Sequence, residues 1–179
     1  MSYAPGIPDF EIQGLALLQR ILVTTDGTVT DVLAAAFLEP IELVKLSVTV
    51  APCETAVETL DLRAGSMTMH RRIILRGARS GVKYAYAEVL IAADRLTPAL
   101  RHDLLEGRTP LGQLWLSHRL ETWKERPRVR RRQADGLADH LDVSPQAAVI
   151  ERTYRTFTGG VPVFAVTEFF PEDGPAHPR

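Results

Sequence analysis

"AVIERTYRTFTGGVPVFAVTEFF", residues 148–170, decides how this chain folds. Two runs rich in β-branched and aromatic residues flank Gly159-Gly160, a pair that supplies the positive φ angles of a two-residue hairpin turn. The segment is therefore predicted to be a β-hairpin, 148–157 pairing with 161–170. Its second arm carries one carboxylate, Glu168, on the same face as Phe164, Val166 and Phe170, with apolar neighbours on the other face as well. Burying a carboxylate costs free energy unless something compensates, so Glu168 is a candidate functional residue.

The two-residue period recurs upstream. In "IELVKLSVTVA" (41–51) Val44, Leu46, Val48 and Val50 alternate with polar residues, and "MTMHRRIILRG" (67–77), the turn "ARSG" and "VKYAYAEVLIAA" (82–93) form another hairpin. Met67, Met69, Arg71, Ile73 and Leu75 share one face of 67–77, which aims the Arg71 guanidinium at the core, while Arg72 points the other way. Helical patterns lie elsewhere, at 11–22, 24–37, 98–107 and 111–119, with a last turn or two at 134–141. The stretch 120–132 reads as extended. Hairpin-joined strands segregated from helices give an α+β domain on an antiparallel sheet. The reading is one domain over 1–179, with an ordered core of about 11–171 and loose ends rich in Pro and Gly.

Composition narrows the function. A net charge of -1 provides no bulk attraction to nucleic acid or membrane. The basic cluster "KERPRVRRR" (124–132) reads as a solvated strand edge. One cysteine, Cys53, excludes an internal disulfide and fits a reducing cytoplasm; neither a leader pattern nor a stretch of about 20 apolar residues is present. The five histidines are scattered without metal-ligand spacing, so no metal is expected. Trp115 and Trp123 read as packing residues.

Arg71 and Glu168 are thus two buried charges of opposite sign, either a structural ion pair or the poles of a small-ligand site. Two helix starts, "TDGTVTD" (25–31 region) and "GRTPLG" (107–112), with Pro110 suited to a first helical position, favour the second reading. Free amides at helix starts bind carboxylates or phosphates.

"TTDGTVTDVL", "HRRIILRG", "YAEVLIAADRL", "PLGQL", "LETWKE" and "RTYRTFTGGVPVFAVTEFFP", in this order over residues 11–171, resemble the chorismate pyruvate-lyases, above all the actinobacterial and cyanobacterial branch that makes 4-hydroxybenzoate. The resemblance implies a six-stranded antiparallel sheet with helices packed on it and helical flaps over an internal ligand cavity. It implies cofactor-free loss of pyruvate from chorismate, with Arg71 and Glu168 as essential residues and the backbone amides of Val29 and Leu111 as ligand contacts. Glu88 receives no role. Chorismate would be the partner, with no nucleic acid or membrane, in a cytoplasmic monomer or weak dimer. Two other functions remain open: a repurposed enzyme of secondary metabolism acting on another carboxylated ring or polyketide-like acid, and a non-catalytic effector-binding domain.

Overall fold

The computed structural model describes residues 12–175; the expectation of loose ends falls mostly outside that range. A 3-10 turn at Ile12–Gly14 leads into α1 (Leu17–Thr24), α2 (Val29–Phe37), β1 (Ile41–Pro52), β2 (Met67–Gly77) and β3 (Lys83–Ala92). After these come α3 (Pro98–Glu106), α4 (Leu111–Ser117), β4 (Trp123–Lys124), β5 (Arg128–Gln133), α5 (Ala138–Leu141), β6 (Ala148–Thr158) and β7 (Val161–Pro171).

The seven strands form one antiparallel sheet in the order β1-β2-β3-β7-β6, with β4 and β5 both pairing with β6 along its far edge. The predicted six-stranded sheet is therefore present as six lanes, the last broken into two pieces at Glu125–Pro127, where Pro127 has no N–H for a ladder. Gly159 and Gly160 both take positive φ, 59° and 81°, and close the β6–β7 turn as expected.

One sheet face packs against α1–α4 through two clusters, one around Met69, Leu104 and Phe164, the other around Leu22, Leu33, Ile73 and Phe170. The opposite face is covered by α5 and the turn before it, which close over Ile74, Tyr86 and Phe169. Strand β2 presents its faces as expected: Met69, Arg71 and Ile73 are buried, Arg72 is exposed and hydrogen-bonded to Ser47. In β1 the simple alternation fails. A bulge between Lys45 and Ser47 switches faces, so Val44 packs under α5 whereas Val48 joins the cluster on the α1–α4 side, and Leu46 is exposed.

Helix ends follow local chemistry. Thr28 caps α2, accepting from the Asp31 amide at 3.4 Å, and Thr97 caps α3 ahead of Pro98. Pro110 occupies the cap position of α4 rather than its first turn, so Leu111 is the first helical residue. A Cβ at Gly112 would fall 2.4 Å from Thr28 Cγ2: the starts of α2 and α4 meet, and only glycine permits so close an approach.

Candidate functional site

Where those two helix starts meet, they roof a cavity of about 420 Å³, a size suited to a small organic ligand. Its floor is the α1–α4 side of β2, β3, β7 and β6. Ala85 and Ala87 on β3 leave space where larger side chains would fill it, and Ile73, Leu75, Val89 and Val166 surround them. The roof is residues 26–31 and 110–116, and a side wall comes from Leu120, Thr122 and Lys124. All four residues singled out from sequence, Arg71, Glu168, Val29 and Leu111, line this one cavity. As first helical residues, Val29 and Leu111 carry amides with no intrahelical acceptor.

Strand register places the two charges apart. Arg71 lies opposite Val89, which lies opposite Val166; Glu168 is opposite Ala87, one inward-facing position further along. Two lanes and one pair step put their Cα atoms roughly 12 Å apart on ordinary strand spacings. Arg71 and Glu168 thus stand two strands apart across the cavity floor, with Val89 and Ala87 on the strand between them, and do not pair with each other.

The partner of Glu168 is a residue that the sequence reading did not identify. Arg152 lies directly across from it on β6, fully buried, with Nη1 3.4 Å from Glu168 Oε2. Arg152 spends its best hydrogen bonds elsewhere, donating to the carbonyls of Leu22 (2.7 Å) and Thr25 (2.5 Å) at the end of α1. Glu168 Oε1 accepts from the Tyr154 hydroxyl at 3.3 Å, and Oε2 accepts no hydrogen bond. Burial pushes the Glu168 carboxyl above its ordinary value, against the pull of Arg152, Lys124 and Tyr154. Burial likewise holds the Arg71 guanidinium down to about 10, which leaves it cationic at neutral pH. Arg71 Nη2 donates to the Thr109 carbonyl at 2.8 Å, tying the segment before α4 to the sheet, while its Nε is unpartnered.

Lys124 is a second omission. It heads the basic cluster read as a solvated edge, yet its side chain turns into the cavity and donates to the Asp26 carbonyl at 3.0 Å. The rest of the cluster behaves as an edge, Arg130 pairing with Glu151 and Arg131 with Glu172. The alternation of Leu120, Thr122 and Lys124, all in the cavity wall, with Trp123, 62% exposed, is the signal that could have separated Lys124 from its neighbours. Trp115 packs on Phe164 at 5.7 Å between ring centroids, as a packing residue should, but its buried Nε1 also lacks a partner and it lines the cavity. Trp123 packs on Phe157.

Chemically, the cavity offers a fork donor on one side and a protonatable carboxyl, ion-paired to Arg152 but with one oxygen that accepts no hydrogen bond, on the other. Among the described residues no group of three His, Cys, Asp or Glu side chains could hold a metal ion, and no described helix is long and apolar enough to cross a membrane.

The family model described as "Chorismate pyruvate-lyase Rv2949c-like" matches residues 23–174. A chorismate pyruvate-lyase of Mycobacterium tuberculosis is 33% identical over 168 residues, covering 92% of this chain and 84% of that protein. One of Mycobacterium leprae is 34% identical over 164 residues, covering 89% and 77%. Among solved structures, the ligand-binding domain of a GntR-family transcriptional regulator from Bordetella bronchiseptica superposes with a TM-score of 0.62 at 20% identity, covering 78% of this chain and 90% of that one. PhnF from Mycobacterium smegmatis superposes with a TM-score of 0.66 at 16% identity, covering 84% and 66%. At such identities the structural likeness shows the fold alone.

Proposed function

The chain belongs to the chorismate pyruvate-lyase family, and from that premise we propose that it eliminates pyruvate from chorismate to leave 4-hydroxybenzoate, with Arg71 as carboxylate anchor and Glu168 as general acid–base. The observation that carries this reading is the separation of the two groups within one cavity. Arg71 has an unpartnered Nε on one side and Glu168 an Oε2 that accepts no hydrogen bond on the other, two strands apart across a floor that Ala87 keeps low beside Glu168.

Arg71 would take the ring carboxylate with its planar fork, supplemented by the converging amides of Val29 and Leu111. The far side of the ring then lies against Glu168. In its acid form Glu168 gives a proton to the ether oxygen as the C3–O bond breaks, and that bond's electron pair leaves with the enolpyruvyl group. The C4–H electron pair becomes the third double bond of the ring, and its proton returns to Glu168. The released enol tautomerises to pyruvate. Atoms and charge balance without oxidant, reductant or co-reactant. Burial favours the acid form in which Glu168 must begin. Aromatisation drives the reaction, so positioning and one proton relay account for most of what the protein supplies.

Incubating chelator-treated protein with chorismate tests the reading directly. Stoichiometric pyruvate and 4-hydroxybenzoate are expected. Binding of 4-hydroxybenzoate without pyruvate release would leave a ligand-binding domain instead, and formation of prephenate or 3-hydroxybenzoate would place the chain in another reaction class.

A further inference from the structure

Arg130, Arg131, Arg132 and Arg155 each have a carboxylate partner at the edge of the sheet. Lys124, from the same stretch of chain, is turned inward, and no carboxylate of the described residues forms an ion pair with it. An ammonium has three donors, and the Asp26 carbonyl occupies one. The others face a cavity walled by Tyr154 and Trp115, whose rings lie 4.8 and 6.0 Å from Nζ. Placing a lysine there has a cost: burial first, then the nearby Arg152 charge, pull Lys124 below the ordinary lysine range, against the weaker pull of Glu168 and Asp26. An incoming carboxylate would offset both.

We propose that Lys124 anchors the second carboxylate of the substrate, the one on the enolpyruvyl ether, and that it thereby selects dicarboxylates over the monocarboxylate product. The assignment rests on the lyase reading for the identity of that carboxylate, and on geometry for its place. Lys124 pairs with Thr156 on β6, two residues from Tyr154, whose hydroxyl touches Glu168. Arg71 stands across the floor on β2. A ligand stretched from Arg71 to Lys124 passes Glu168 near the second cation, so the ether oxygen next to the second carboxylate falls beside the acid. After cleavage the ring keeps only the carboxylate held by Arg71, and the Lys124 contact leaves with pyruvate.

Two stable ligands test this by calorimetric titration of the full chain: 4-hydroxybenzoate, and its 3-carboxymethoxy derivative, which adds a carboxylate on an ether at the position of the enolpyruvyl group. Lys124→Met should weaken the dicarboxylate roughly tenfold to a hundredfold, the usual cost of losing a hydrogen bond to a charged group, and 4-hydroxybenzoate by less than about threefold. Lys124→Arg should recover most of the dicarboxylate affinity. Equal losses for both ligands would show that Lys124 only ties down the Asp26 loop, and an unchanged dicarboxylate affinity would show that it contacts nothing; either overturns the proposal. Pyruvate release from chorismate by the unmodified protein is scored separately. Its absence, with ligand selectivity intact, removes the lyase reading and leaves Lys124 as the second anchor. Failure of the unmodified protein to bind either ligand overturns both.

Discussion

Glu39 and Glu168 are both carboxylates held largely out of water, and their surroundings push them in opposite directions. Glu39, between α2 and β1, is saturated. It accepts from the Ser80 hydroxyl and the Tyr84 hydroxyl, each at 2.6 Å, and from the amides of Arg79 and Ser80, each at 3.0 Å. Those bonds, first the side chain of Ser80 and then Tyr84, bring its pKa down to about 2. Glu168 has one long hydrogen bond and an ion pair to Arg152 at 3.4 Å that supplies no hydrogen bond to Oε2, and burial raises its pKa. A carboxylate whose bonds are complete stays charged and clasps the β2–β3 turn. One left incomplete can take and give up a proton. Donor supply holds Glu39 down, whereas burial, offset only in part by Arg152, Lys124 and Tyr154, raises Glu168.

The sharpest way to break this contrast is to exchange each carboxylate for its amide. Glu168→Gln is expected to lower turnover by roughly 100- to 10,000-fold, the range for losing a general acid–base, while 4-hydroxybenzoate still binds. The melting temperature should hardly move, since Arg152 keeps its bonds to Leu22 and Thr25. Glu39→Gln should do the reverse, lowering the melting temperature with normal turnover per folded molecule. A large stability loss in Glu168→Gln with near-normal turnover would identify a structural ion pair and end the catalytic reading.

A smaller effect separates the two sides of β2. Arg71→Lys should weaken 4-hydroxybenzoate binding by roughly tenfold to a hundredfold, because a point-charge ammonium cannot reproduce the fork. Arg72→Lys, on the solvent side with Ser47, should leave binding unchanged. Equal losses at the two positions, measured by titration, would contradict the assigned faces of β2, and no loss at 71 would mean that Arg71 acts only through its charge.

The subtlest contrast is in pH. Glu39 has a depressed pKa, so its contribution to stability is complete above its unfolded value of 4.5 and is lost as pH falls toward about 2. Melting curves of the original protein and Glu39→Gln should therefore converge across that window. The raised pKa of Glu168 has the opposite sign: its ionisation in the fold costs stability as pH climbs above 4.5. Relative to the original protein, Glu168→Gln should gain stability as pH rises. Parallel pH profiles for the two variants would show that both carboxylates are saturated.

What sequence reveals about this molecule depends on where the strand phase is kept. Strand β2 pairs with β3 without a shift from Thr68 to Leu75, so simple alternation placed Arg71 and Arg72 on the correct faces. Arg152 escaped for the opposite reason. Counting outward from Gly159-Gly160 pairs it with Thr167, on the wrong face, because a register shift between Thr156 and Phe157 adds a residue to β7 just after Pro162. The same device in β1 misplaced Val44 relative to Val48. Lys124 was hidden by composition: five arginines in the next eight residues make the whole run read as surface, and only the fold reveals that its first member faces inward.

The extra residue near Pro162 divides the hairpin into two territories with different rules for length. On the turn side, an added residue at the Gly159–Gly160 tip lengthens a solvent-facing loop and leaves everything beyond the shift in step. On the far side, between Val163 and Glu168, the same addition advances the strand by half a pleat. It would carry the carboxyl from the cavity to the face beneath α5 and bring Thr167 or Phe169 inward in its place. Homologous chains can therefore differ freely in length at the tip of this hairpin, while the five-residue stride from Val163 to Glu168 must stay fixed.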